Sequence, residues 1–158
     1  MIARDGYAAV MRVPIGCLGI LMRGDALIGV DFLPASVAAR PALGSPGRRV
    51  VDQLRRYFED PAWRFDLPLE LGGTPFQRRV WTALRDIPVG EVVTYGGLAA
   101  RLASSARAIG GACRRNPVPV VVPCHRVVSA TGIGGFSGAT AGRPLAIKEW
   151  LLSHERPA

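Results

Sequence analysis

Cys124 stands directly before His125, inside the run Pro123-Cys124-His125-Arg126-Val127-Val128. A thiol is a weak nucleophile until it loses its proton, and a nearby base or cation promotes that loss. Neighbouring side chains on a regular strand point to opposite faces. The pair must therefore sit at a turn for His125 to serve Cys124, directly or through a water molecule. A bare Cys-His pair is more often a buried cysteine beside a satisfied histidine. Glu155 is the second clue. In a final helix it stacks one turn beyond Leu151 and two beyond Ile147, so it leans toward the core, where a carboxylate needs a partner. His125 is one such partner, and the three residues would then form a Cys–His–Glu relay of the triad kind. The other reading of Glu155 is a frayed, solvated acid.

Three more residues have two readings each. Tyr95 follows a turn and precedes a pair of short helices; it packs by its ring or presents its hydroxyl. Asn116, before Pro117, either only stops a helix or ties the following apolar run to the cysteine loop. Arg107 falls in the first turn of a helix, where the dipole disfavours cations. It is an exposed arginine at a small cost, or it faces something anionic or stacked.

The elements that must position these residues follow from pattern. Leu18 to Met22 and Ala26 to Leu33 are apolar stretches joined across Arg23-Gly24-Asp25, a hairpin signal. A Pro/Ala/Gly/Ser loop over 34–45 follows. A helix starts at Ser45 with Pro46 in its first turn, and Val50, Val51, Leu54, Tyr57 and Phe58 share one face. A second helix begins after Gly72-Gly73, with Thr74 as N-cap, Pro75 at the first position and Gln77 completing a capping box. Phe76, Val80, Trp81 and Leu84 give it a buried face, and Pro88 and Gly90 stop it. Residues 91–94 are β-prone. Residues 96–102 and 106–114 read as two short helices, the second capped by Ser104 or Ser105 and ended by Asn116-Pro117. Such a pair resembles a helix-turn-helix, with Arg101, Arg107, Arg114 and Arg115 in and around it. Val118 to Val122 reads as a buried, strand-like run that holds the cysteine loop. A glycine-rich loop with Gly132, Gly134, Gly135 and Gly138 leads to a last helix from Arg143-Pro144, with Ile147, Trp150 and Leu151 on its core side.

Charge divides the chain. Residues 1–70 hold nine arginines and eight acids, a net of +1; residues 71–158 hold ten arginines, Lys148 and four acids, a net of +7. A basic half points either to a polyanion, nucleic acid first, or to a merely solvated surface. Three cysteines make no disulfide framework and fit a reducing compartment. With His125 and His154 the only histidines, no metal-ligand spacing stands out. Val13 to Met22, ten residues broken by Pro14, Gly16 and Gly19, is too short to span a bilayer and lacks the pattern of a signal peptide.

Together these segments resemble the O6-alkylguanine-DNA alkyltransferases. The likeness rests on the Pro123–Val128 run and on Pro88-Val89-Gly90-Glu91-Val92-Val93-Thr94-Tyr95, Arg107-Ala108-Ile109-Gly110-Gly111-Ala112 and Asn116-Pro117-Val118-Pro119. Downstream it includes Gly135-Phe136-Ser137-Gly138 and Lys148-Glu149-Trp150-Leu151-Leu152-Ser153-His154-Glu155. It runs from about Thr74 to Glu155 and is loose before that. The resemblance implies minor-groove binding by the helix-turn-helix and flipping of the damaged base. It gives Arg107 the task of filling the gap in the stack, and sets Ala106, Gly110, Arg114 and Arg115 with it on the DNA-binding face. Tyr95 would help rotate the nucleotide and donate a proton to the departing guanine. Cys124 would be the nucleophile, His125 its base through a water, Glu155 the carboxylate orienting that histidine, and Asn116 the brace of the turn. Val127, Phe136 and Ser137 would line the guanine. The alkyl group would stay on Cys124 as a thioether, so each chain would act once, without cofactor.

Three departures from the family pattern stand out. The segment after Ser137 is longer, by about Ala139 to Arg143; Phe136 lacks a hydroxyl found in some members; and a zinc site of the first domain, known in some members, has no histidines here. The expected fold is α+β, in two domains. Residues 1–72 form a small supporting domain with an antiparallel sheet, ribonuclease-H-like. Residues 73–158 form a mainly helical DNA-binding and transfer domain. The expected setting is cytoplasmic and nucleoid-associated, as a monomer on double-stranded DNA carrying O6-alkylguanine. Two competing readings are a lesion-binding protein that recruits other repair machinery without transfer, and a cysteine hydrolase. The second would need an oxyanion hole and has no use for a strongly basic half.

Overall fold

The computed structural model describes residues 6–136 and 143–157. Ser137 and the first four residues of the lengthened segment, 139–142, lie outside them. The chain forms two compact units, residues 1–71 and 72–158.

The first unit is a three-stranded antiparallel sheet with one helix. Strands β1 (Ala9–Val13), β2 (Gly16–Arg23) and β3 (Ala26–Leu33) lie side by side in chain order. The β2–β3 hairpin turns on Gly24-Asp25, with Gly24 at φ +60°, the left-handed geometry that two-residue hairpins require. Helix α1 (Ser45–Glu59) starts at the expected serine with proline in its first turn. It packs on β1 and β2. Val50, Leu54 and Tyr57 are buried from its apolar stripe, while Val51 and Phe58 are half-buried at the edges. Leu18, Ile20, Leu27 and Val30 of the sheet are buried as well. Gln53, a buried amide, is satisfied on both sides: Nε2 donates to the Asp66 carbonyl (3.0 Å) and Oε1 accepts from the Asp66 N–H (2.8 Å).

The second unit is mainly helical. Helix α2 (Pro75–Arg85) carries the expected capping box, with Thr74 Oγ1 accepting from Gln77 N and Gln77 Oε1 from Thr74 N, both at 3.0 Å. Val80, Trp81 and Leu84 are buried, and Trp81 Nε1 donates to Ala112 O at 2.8 Å, which fastens α2 to α4. Helices α3 (Tyr95–Arg101) and α4 (Ala106–Arg114) are capped by Thr94 and Ser105. The link between them is short because Ala103 takes a left-handed conformation (φ 52°) and Ser104 N reaches back to Ala99 O at 2.9 Å. Arg79 Nη2 donates to Leu102 O, covering the carbonyl end of α3.

Two short strands, β4 (Val93–Thr94) and β5 (Val127–Val128), pair in parallel with Val93 opposite Val127 and Thr94 opposite Val128. Helix α5 (Arg143–Glu155) closes the unit. No helix among the described residues is long and apolar enough to cross a membrane.

The Val118–Val122 run differs from the expected strand. It is buried throughout, but it is a tight turn: Val122 N donates to Val118 O at 2.9 Å, and Val120 sits at φ 76°. A short apolar run signals burial, not its backbone shape, and among the described residues no strand lies alongside to extend it. A β-branched residue at positive φ costs about 1–3 kcal/mol and persists only where its surroundings over-determine it.

Candidate active site

Cys124 opens a single turn of 3-10 helix, Cys124–Arg126, immediately after this strained turn. Its N–H donates to Val122 O at 2.8 Å. Asn116 sits at the end of α4 and grips the same turn from both sides. Its Nδ2 donates to Val122 O (2.8 Å) and its Oδ1 accepts from Val118 N (3.0 Å). Cys124 is therefore held by hydrogen bonds on the residues before it, and its own side chain is buried.

Burial pushes the Cys124 thiol up, partly countered by a hydrogen bond from the Asn116 amide and by the Lys148 ammonium. The resting residue is therefore a thiol. His125 follows in the same turn and is fully buried. Its Nε2 lies 2.7 Å from Glu155 Oε2. An ionised carboxylate only accepts, so this nitrogen carries the proton and Nδ1 is the bare acceptor. Nδ1 is buried with no hydrogen-bond partner among the described residues. Burial holds His125 below the usual imidazole range; Glu155 pulls the other way, while Arg126 and Lys148 reinforce burial. Its base form is thus the favoured one.

Tyr95 begins α3 just beyond the β4–β5 ladder. Its hydroxyl donates to Gly135 O at 3.4 Å. Burial, then the charges that Cys113 and Cys124 can carry, push it up to about 12, so it keeps its proton at neutral pH. Gly134, at φ +76°, lets the loop pass close under the ring: a Cβ there would lie 3.0 Å from Tyr95 Cε2.

Arg107, Ala106, Arg114 and Arg115 are exposed on or beside α4. Gly110 is half-buried and faces inward, its missing Cβ 4.0 Å from the Tyr95 ring. Val127 is buried, and its carbonyl accepts from Lys148 Nζ at 2.7 Å. Phe136 is buried at the end of the glycine loop. Ser137 lies outside the described residues.

Residues 75–157 match the family model of the DNA-binding domain of 6-O-methylguanine DNA methyltransferase. The chain belongs to the O6-methylguanine DNA methyltransferase family. The methylated-DNA–protein-cysteine methyltransferase of Shigella flexneri is 48% identical over 108 residues, 66% of this chain and 60% of that protein. This match thus spans less than two thirds of the relative's length. The enzyme of the same name from Methanosarcina acetivorans is 44% identical over 161 residues, 94% of this chain and 97% of that one. A Mycobacterium tuberculosis relative solved in complex with DNA superposes with a TM-score of 0.77 at 36% identity, covering 94% of each chain.

For a member of this methyltransferase family, the site holds three residues that sequence reasoning left without a role. Arg126 clamps Glu155 with Nε to Oε1 (2.8 Å) and Nη2 to Oε2 (3.0 Å), and its Nη1 donates to Ile87 O (2.6 Å). Lys148, fully buried on α5, donates to Val127 O (2.7 Å) and Gly135 O (2.8 Å), with its ammonium 5.6 Å from the Tyr95 ring centre. It pins the glycine loop to β5 and sets a positive charge beside the Tyr95 ring and within electrostatic reach of Cys124. Cys113, half-buried in the last turn of α4, is pushed up to about 12, chiefly by burial, and stays a thiol. A signal for Lys148 was available: it shares the i, i+3, i+7 stripe of Leu151 and Glu155 on α5.

Proposed function

We propose that the protein removes alkyl groups from the O6 position of guanine in double-stranded DNA by transferring them irreversibly to Cys124. The observation that carries this reading is the pairing of a rigidly held cysteine with a buried histidine whose Nε2 is committed to Glu155 and whose Nδ1 is bare. Family membership and the mycobacterial relative's DNA complex support DNA as the partner.

In this mechanism the Cys124 proton passes through a water to His125 Nδ1, Glu155 holds the ring through Nε2, and the thiolate left behind balances the charge of the imidazolium that forms. The thiolate attacks the alkyl carbon in line. A carbon–sulfur bond forms as the carbon–O6 bond breaks, and its electron pair leaves with guanine. Tyr95 donates its proton to that base, which makes it the better leaving group. A thioether carbon–sulfur bond is not hydrolysed by water or imidazole, so each chain reacts once. The lesion itself is the alkyl donor, and no cofactor enters the balance. One chain carries the whole relay, so it acts as a monomer, on the nucleoid where the lesion lies.

Helices α3 and α4 serve as the helix-turn-helix, entering the minor groove. Residues 73–158 are the DNA-binding and transfer domain, and residues 1–72 a ribonuclease-H-like support; the three-stranded antiparallel sheet backed by α1 fits that part. Arg107, exposed in the first turn of α4 where the dipole opposes it, fills the gap left by the flipped base. Arg107→Ala is expected to slow repair of a duplex about tenfold or more while reaction with a free O6-alkylguanine derivative is unchanged. Equal losses on both substrates would remove Arg107 from that role.

The deciding experiment is intact-protein mass after incubation with a duplex containing one O6-methylguanine. A gain of one methylene, located at Cys124 and saturating at one per chain, is the expected result. Tight binding with no gain would make the protein a lesion-binding factor instead.

A further inference from the structure

We propose that Arg126 is a positioning residue that keeps His125 in its neutral, base-competent form by taking over the charge balance of Glu155. The inference rests on the alkyl-transfer reading, because only there does His125 need a bare Nδ1.

Three ionisable side chains meet here out of solvent. Glu155 and His125 are almost fully buried, and the Arg126 side chain is 11% exposed. An ionised buried carboxylate with nothing else beside it draws a neighbouring histidine toward imidazolium, because a neutral ring would leave the carboxylate's charge unbalanced. His125 would then hold protons on both nitrogens and could accept none. Arg126 changes the sum. Its guanidinium keeps its charge at any pH a folded protein meets, and two of its N–H groups occupy both oxygens of Glu155. Arginine and glutamate already cancel, so a proton on His125 would leave one uncompensated buried charge. The carboxylate still accepts from Nε2, so the tautomer is fixed without the ring being charged.

The other neighbours point the same way. From α5 the groups facing His125 are Glu155 and Lys148, and Lys148 adds a second positive charge that disfavours the imidazolium. Helix α2 also packs on the turn, but its arginines, Arg78, Arg79 and Arg85, are exposed. Within the turn itself the charged neighbour is Arg126. The third hydrogen bond of Arg126, to Ile87 O, ties the guanidinium to the chain two residues beyond α2 and fixes the fork in place.

The test reads the histidine directly. In a His154→Gln background one histidine remains, and long-range proton–nitrogen NMR of its ring reports tautomer and charge. His125 is expected as the Nε2–H tautomer, neutral as pH falls through the ordinary imidazole range. In Arg126→Gln its titration is expected to move up by about one pH unit or more. The acid limb of the single-turnover transfer rate on an O6-methylguanine duplex should move with it. Arg126→Lys, which restores a positive charge, should bring the midpoint most of the way back at a lower rate. A parental His125 that titrates within or above the ordinary range overturns the proposal, even if the variants fail to fold. So does an Arg126→Gln variant whose titration does not move. Parental protein that transfers no alkyl group overturns the alkyl-transfer reading instead, and the NMR titration still decides what Arg126 does to the histidine.

Discussion

Cys124→Ala protein is expected to bind an O6-methylguanine duplex as the parent does and to take up no label from it. The transfer rate should fall on the order of 10⁴-fold or more, since no second nucleophile is poised to replace the thiolate. Cys113 is the only other thiol of this unit, and burial holds it protonated, with its pKa pushed up to about 12. It lacks the Asn116 amide that helps offset burial at Cys124. Fold and DNA affinity should survive, because the replacement removes one buried atom at about 1 kcal/mol and the turn is held by Asn116 through backbone groups. Label appearing elsewhere in the chain at a comparable rate would move the nucleophile.

Glu155→Ala is expected to be the most destabilising change in the relay. It strips two of the three acceptors from Arg126 and the partner from His125 Nε2, leaving a buried guanidinium with only Ile87 O. Breaking one side of a buried ion pair costs about 3–5 kcal/mol, even where the intact pair adds little net stability. For a chain of this size that lowers Tm by on the order of 10 °C. Transfer should fall as well, because the imidazole loses the contact that fixes its tautomer. Glu155→Gln keeps the shape and one acceptor, so it should lie between the two in urea unfolding. An alanine variant within about 1 kcal/mol of the parent would mean that the clamp is open to water in solution.

Local signals carried most of what the sequence revealed. The Thr74 capping box, the Ser105 cap, the Ser45-Pro46 start and the Gly24-Asp25 turn each act within a few residues, and each stands where its chemistry put it. Glu155 was legible for a different reason, since a helical period alone aims it inward. The partner of Arg126 was not, because guanidinium and carboxylate lie about thirty residues apart and meet only through tertiary packing. A carboxylate has about four acceptor positions and one histidine fills only one. The unfilled remainder was the available hint of a second donor. Val118–Val122 misled because apolar content reports burial and carries no information about φ.

The two-rung ladder of β4 and β5 sets a distance. One strand delivers Tyr95 at its end, and the other begins right after the turn that carries Cys124. In the proposed mechanism, proton donor and nucleophile are thus the two jaws of a gauge whose gap is cut in backbone hydrogen bonds. Side-chain repacking elsewhere in the unit can widen or narrow the room around an incoming alkyl group, but it has little purchase on that gap. Tolerance for lesions of different size should therefore drift readily among related sequences, while the geometry of the transfer step stays put.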